Sequence, residues 1–308
     1  MNNRFFIPMV VISLIILISV RYPLQTTGEE KKDKNLRNSI LAGSWYPGDK
    51  KTLSRMVEDL LSRVKTGSME GELTALIVPH AGYIYSGQVA AYAYSLIQGM
   101  NFQRVILIGP SHRTGFKGAS INLQSGYKTP LGIVPVDQEL AKKLIDTSDQ
   151  IRWVPKAHAR EHSLEIQLPF LQTVLSDFQI VPIIMGEQDF KTCSDLAESL
   201  FRVTGTMGNI LLLASSDLSH FHDYNRAKEL DMRFIKHVRE FDPNGLASAL
   251  SSGFCEACGG GPSITVMLAA QRRGANRALI LKYANSGDVT GDHSRVVGYL
   301  SAALIRGK

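Results

Sequence analysis

Apolar residues follow two different spacings along the chain. Between residues 52 and 64 they recur every three or four positions. Leu53, Met56, Val57, Leu60, Leu61 and Val64 then share one face, which predicts an amphipathic helix. Residues 73–78 are apolar almost without a break, which predicts a buried strand. The two patterns then take turns. Helical spacing is read over 87–98, 138–146, 164–175, 226–239, 245–250 and 263–271; Pro169 is a candidate kink in the third, and Pro262 opens the last. Strand-like runs are read over 104–108, 179–185, 210–214, 278–284 and 296–303. Near-continuous apolar strands alternating with helices predict an α/β sheet covered on both faces.

One apolar run, FFIPMVVISLIILISV at residues 5–20, stands outside this alternation. A spanning helix needs about 20 apolar residues, so this shorter run would rely on tilt or membrane thinning. It predicts a single-pass N-terminal anchor, with contact to the membrane through residues 5–20 and the side left open. Export after signal cleavage is the alternative. Residues 21–38 read as a polar linker, leaving 39–308 as one domain.

Composition adds limits. The 308 residues are 44% hydrophobic and 20% charged, enough apolar material for a sizeable core. The formal charge is +6, but the basic residues are scattered, apart from Lys31, Lys32, Lys34 and Arg37. No nucleic-acid surface is predicted. Cys193, Cys255 and Cys258 are too few for a disulfide framework, and no second C-x-x-C joins Cys255 and Cys258 to complete a structural zinc site.

The polar residues at strand ends carry the candidate chemistry, because ligands of such sheets bind beyond the carboxyl ends of the strands. The strand at 73–78 leads to His80, that at 104–108 to His112, and that at 210–214 to Asp217 and His220. Two imidazoles and one anionic group make a three-point metal site with open positions. Asp217, Glu161, Glu165 and a cysteine thiolate all compete for the anionic place. AHAREHSLEIQLPF offers His158 and His162 four residues apart, with Glu161 and Glu165. SSDLSHFHDY offers Asp217 beside His220, a candidate general base. CEACGGGPS sets Cys258 before a predicted helix, whose dipole favours a thiolate. Structural histidines, solvated polar turns and an inert cysteine are the plain readings of the same stretches. No G-x-x-x-x-G-K-[ST], early G-x-G-x-x-G, G-x-S-x-G or H-E-x-x-H occurs.

In order along the chain, AGSWYPGDKKTL, VPHAGYIYSGQVAA, GPSHRTGFKGASI, YKTPLGIVPVD, EHSLEIQLPFLQ, SSDLSHF and CGGGPSI resemble the Memo family. Its microbial members are also described as the B protein of the AmmeMemoRadiSam system. The family is similar in fold to class III extradiol dioxygenases, which use non-haem iron. The resemblance implies a three-layer α/β sandwich with a central, mostly parallel or mixed sheet. It implies one iron or copper ion, with zinc ranked behind them, held by His80, His112 and Cys258. His220 matches the place of a general base, and Asp217 and His162 belong to the same catalytic pocket. Tyr83, Tyr85 and Arg113 are expected to shape the substrate side. The implied partners are a radical-SAM protein and a phosphopeptide or small-molecule ligand. The leading expectation is a metal-dependent redox protein or dioxygenase-like oxidase. Its rivals are a non-catalytic module that binds an acidic peptide through Arg113, Lys117 and Lys128, and a zinc hydrolase. Cys255 is an added thiol; pairing with Cys258 would remove a ligand.

Overall fold

The computed structural model of the chain describes Met1, residues 35–65 and residues 69–307. Two units are distinguished, Met1–Lys34 and Asn35–Lys308, and the fold described here is that of the second. Its first half contains β1 (Leu36–Arg37), α1 (Lys50–Ser62), β2 (Glu72–Val78), α2 (Tyr83–Leu96), β3 (Arg104–Pro110), β4 (Ala119–Ile121), β5 (Gly126–Thr129), β6 (Gly132–Pro135), α3 (Gln138–Ile145), β7 (Ile151–Arg152) and α4 (Pro155–Ala159). A 3-10 turn at Glu165–Gln167 leads into α5 (Leu168–Val174). There follow β8 (Gln179–Met185), α6 (Phe190–Thr204), β9 (Ile210–Ser215), β10 (Asp217–His222), α7 (Tyr224–Arg239), α8 (Pro243–Ser251), α9 (Gly260–Arg272), β11 (Arg277–Asn285), α10 (Ser286–Thr290) and β12 (Val296–Arg306).

The centre of the main sheet is parallel, in the order β2, β9, β3, β8. β4 joins β8 antiparallel and β7 closes that edge. On the other side, β12 runs antiparallel to β2. The first residues of β12 pair with β10, while β11 runs along nearly its whole length. A separate small sheet is formed by β1, β5 and β6. Successive side chains of a strand point to opposite faces, and here both faces are buried. Ile77, Ile106, Val181 and Leu212 pack with α3, α6, α7, α8 and α9; Leu76, Leu107, Ile180 and Leu213 pack with α1, α2 and α5. The result is a three-layer α/β sandwich with a mixed sheet, as the resemblance implies, and the sheet is covered on both faces, as the strand pattern predicts.

Several elements differ from the sequence expectation. The helix expected over 164–175 is a 3-10 turn followed by α5. Pro169 sits at the start of α5, where its missing N–H costs little, so it begins the helix rather than kinking it. α6 was not anticipated from the apolar spacing, although Asp189 caps it by accepting from the Thr192 N–H. The small sheet went unread because its strands have two to four residues.

Among the described residues no helix is long and apolar enough to cross a membrane. That finding corrects the expectation of a membrane-associated chain with a transmembrane partner surface. Residues 5–20, on which the anchor and the signal alternative were placed, lie outside the described residues, as does most of the linker. The compact unit starts at Asn35, inside the expected linker, because Arg37 is tied into the core. Its guanidinium donates to the His158 carbonyl at 2.8 Å, the Glu161 carbonyl at 2.6 Å and the Glu165 carboxylate at 2.5 Å. Glu165 also accepts from Ser39 Oγ, Tyr46 OH and the N–H groups of Ile40 and Leu41.

Burial alone would raise the Glu165 carboxyl, but Arg37 and the hydrogen bonds from Ser39 and Ile40 hold it below its ordinary range. A carboxyl depressed on folding stabilises the fold above its unfolded pKa and loses that contribution as pH falls through the folded value. Glu165→Gln leaves the buried Arg37 without its counter-charge. It is expected to cost about 3–5 kcal/mol at neutral pH. It should also flatten the loss of stability below about pH 4.5. Urea unfolding across that range checks both.

Candidate metal centre and its cavity

The three central strand ends deliver their side chains to one place. His80 lies two residues beyond β2, His112 two beyond β3, and Asp217 two beyond β9. Cys258 arrives from the other side, just ahead of α9. Its N–H donates to the Asp217 carbonyl at 3.2 Å, and the next N–H donates to Ser216 Oγ at 3.1 Å. That approach needs Gly259: a Cβ there would stand 2.4 Å from the Ser215 carbonyl oxygen and 2.6 Å from Ser216 Cβ. One ring nitrogen each of His80 and His112 and the Cys258 sulfur lie within 4.8 Å of one another. Cys258 Sγ is 3.1 Å from His80 Nε2. Ligands about 2.1 Å from a tetrahedral ion stand roughly 3.4 Å apart, so the three groups suit a common ion.

The hydrogen bonds behind the rings fix which nitrogen faces this point. Ser215 Oγ spends its hydrogen on the Ser163 carbonyl, 2.6 Å away, and accepts from Gln167 Nε2 at 2.7 Å. It can therefore only accept from His80 Nδ1, 3.0 Å away, so His80 carries its proton on Nδ1 and its lone pair on Nε2. Burial, followed by the neighbouring His162, His112 and His220 rings, pushes the His80 pKa well down and keeps the ring neutral. His112 Nδ1 meets Glu161 Oε1 at 2.8 Å, while the His112 N–H donates to the other oxygen at 2.7 Å. Burial would raise Glu161, but the His112 ring and the N–H groups of His112 and Ser163 hold it down to about 2. As an ionised acceptor it takes the Nδ1 proton, which leaves Nε2 as the His112 nitrogen open to an ion.

Asp217 accepts the His80 N–H at 2.7 Å, yet burial raises its carboxyl to about 7. Burial, and then the charge of Asp217, pushes the Cys258 thiol well up. His162 stacks on His112 with ring centroids 4.3 Å apart, and burial lowers it to about 4 despite Glu161. His220 is also lowered by burial. A cavity of about 770 Å³ opens over these groups. Its lining includes His80, His112, His162, Asp217 and His220, together with Tyr85, Trp45, Phe221 and Arg295.

The expected site residues fall into two sets. His80, His112, His162, Asp217, His220 and Tyr85 share the cavity, and Cys258 borders the first two. Tyr83 does not belong there: it is buried against Tyr46 and Phe170 and donates to the Ile166 carbonyl at 2.7 Å. Tyr83 and Tyr85 are two positions apart on α2, and a helix turns such neighbours to different sides. Arg113 is exposed and outside the lining, so the basic residue at this mouth is Arg295 instead. Glu161 and Glu165 are engaged as a ring-orienting group and an ion-pair partner. His158 is held away from the cavity by Ser120 and Tyr127. Cys255 and Cys258 are both free thiols, so neither is lost to pairing. The sequence reading missed the orienting roles of Ser215 and Gln167. The strand-end serine pair was the available signal.

Residues 37–303 match the family described as Memo-like protein. The chain belongs to this family. The MEMO1 family protein of Nitrosopumilus maritimus is 36% identical over 271 residues, covering 86% of this chain and 98% of that one. Its counterpart in Methanobrevibacter smithii is 38% identical over 277 residues, with coverage of 86% and 98%. Among solved structures, an uncharacterized protein of Escherichia coli K12 aligns with a TM-score of 0.53 at 14% identity, covering 75% of this chain and 99% of that one. At that identity the likeness is one of fold. Membership of the Memo-like family agrees with the resemblance read from the motifs.

The ring assignments are open to direct observation. Nitrogen-15 NMR of the metal-free protein near neutral pH is expected to show His80 as a single Nδ1–H tautomer. Ser215→Ala should return His80 to a mixture while leaving His112 unchanged.

Proposed function

We propose that this Memo-like chain is a metal-dependent redox protein whose His80, His112 and Cys258 hold one iron or copper ion at the floor of the cavity. The observation that supports this most directly is that one ring nitrogen each of His80 and His112 and the Cys258 sulfur lie within 4.8 Å of one another, with Nδ1 of both rings hydrogen-bonded. Bound there, the ion would supply redox and Lewis-acid chemistry to a molecule in the cavity. The residues of the chain do the rest. Cys258 gives up its proton when it ligates, and the nearby positive charge reverses the influence that otherwise keeps it a thiol. Asp217, poised at about 7, lies beside it and can carry that proton or release it. His220 is neutral and lines the cavity, so it is free to take a proton from a bound substrate. Glu161 and Ser215 keep the two rings aimed, and Gly259 lets the sulfur approach. A sulfur ligand is softer than a carboxylate, which favours copper or an iron–thiolate over magnesium or calcium.

Metal analysis of protein purified without oxygen tests this reading, followed by dioxygen uptake with the loaded chain. The expected result is about one ion per chain, lost in His80→Ala and Cys258→Ser. Glu161→Gln should weaken the ion by about 10–100-fold through the His112 ring alone. Equal loading in His80→Ala would remove the proposal. Stoichiometric zinc without oxygen uptake would transfer the site to the hydrolase reading.

A further inference from the structure

The wall of the cavity above the candidate metal centre is chemically uneven. Trp45, Ile84, Tyr85 and Phe221 line it, and all four are exposed. Phe221 is 60% exposed and has φ of +63°, a backbone conformation that costs a bulky residue on the order of 1–3 kcal/mol. It lies in β10, where the pairing with β12 shifts register on either side of His220. Such an irregularity re-aims the side chains it carries. Here it sets Phe221 on the cavity wall, with the Arg295 guanidinium lying over its ring at 5.2 Å. Arg295 is the one Arg or Lys in the lining. Among the described residues its guanidinium has no hydrogen-bond acceptor and no ion-pair partner. A guanidinium resting on an aromatic face keeps its in-plane N–H groups free to grip two oxygens at once.

The other charged groups of the lining do not occupy it. Asp217 is bound to the His80 N–H, and Asp292 accepts from Ser294 N and Oγ at 2.9 and 2.7 Å. The volume of about 770 Å³ suits a small molecule rather than a folded partner.

We infer that the cavity takes a small molecule with a flat apolar body and one anionic oxygen group, the body against the aromatic wall and the anion on Arg295. This deepens the proposed function and rests on it for the claim that the bound molecule is a substrate. The anchor itself needs no ion. Carboxylate and phosphate share the required chemistry, so both are tested.

Calorimetric titration of the full chain with benzoate, phenyl phosphate and neutral benzamide separates the cases, run on both the metal-free wild type and His80→Ala. The expected result is that at least one anion binds about tenfold or more tighter than benzamide. Whichever anion binds tighter identifies the group. Arg295→Gln should erase that preference, Arg295→Lys should keep part of it, and Arg113→Gln should leave it unchanged. Phe221→Ala should weaken both anions. Equal binding of benzoate, phenyl phosphate and benzamide, no binding by any of them, or a preference that survives Arg295→Gln would overturn the anchor. None of these results depends on metal loading, so a failed anchor and a failed metal centre are told apart.

Discussion

The buried contact between Arg37 and Glu165 is the constraint on which the site's geometry rests. A guanidinium taken out of water needs a counter-charge and hydrogen-bond acceptors, or the fold loses several kcal/mol. Arg37 meets that demand with the carbonyls of His158 and Glu161 as well as the Glu165 carboxylate. Those acceptors lie along the segment that carries Glu161 and His162. Fixing its backbone also fixes where the Glu161 carboxylate points, and hence how His112 is held. The small sheet formed by β1, β5 and β6 presents Arg37 to this task. Elements with no chemistry of their own thus set the angle of an imidazole on the opposite side of the segment.

The same economy governs the ring of His80. A serine hydroxyl has a single hydrogen, and Ser215 gives it to a carbonyl that cannot donate in return. Everything else that touches the oxygen must supply a proton, and His80 does so through Nδ1. Gln167 is locked in turn: Tyr94 OH donates to its carbonyl oxygen, and its amide nitrogen donates to Pro79 and Ser215. The orientation of the metal-facing nitrogen is therefore set by a chain of satisfied groups that reaches into the apolar core. Nothing in that chain depends on solvent.

The strand pattern made the fold legible because both faces of the central sheet are buried. Runs such as ALIV and VILI then have no polar alternation to obscure them. His80 and His112 were legible for a related reason: a polar ring directly after such a run has nowhere to go except the sheet's carboxyl edge. Cys258 was not determined by local pattern. It stood among several candidate anions until the ordered motifs pointed to it, because its place depends on contacts with Ser216 and Asp217, which are remote in sequence. Tyr83 was misjudged because proximity to a motif says nothing about helical phase. Arg295 was overlooked for the opposite reason, since its stretch, GDHSRVV, carries no motif and enters the cavity only through the path between α10 and β12. The strained backbone at Phe221 has no sequence signature, as aromatic residues are common in strands of ordinary conformation.

The position of β12 has a consequence for the order in which the molecule can be made. This strand supplies the antiparallel neighbour of β2 and of β10, and it covers β11 along its other edge. During synthesis, His80, His112 and Cys258 are all incorporated before residues 296–306 exist. Until those residues arrive, the edge of β2 and the bulged strand bearing His220 have no partner, and contacts so distant in sequence are slow to form. The cavity is therefore a late product of translation. A nascent chain stalled before this strand would carry the ligand side chains without the walls that surround them.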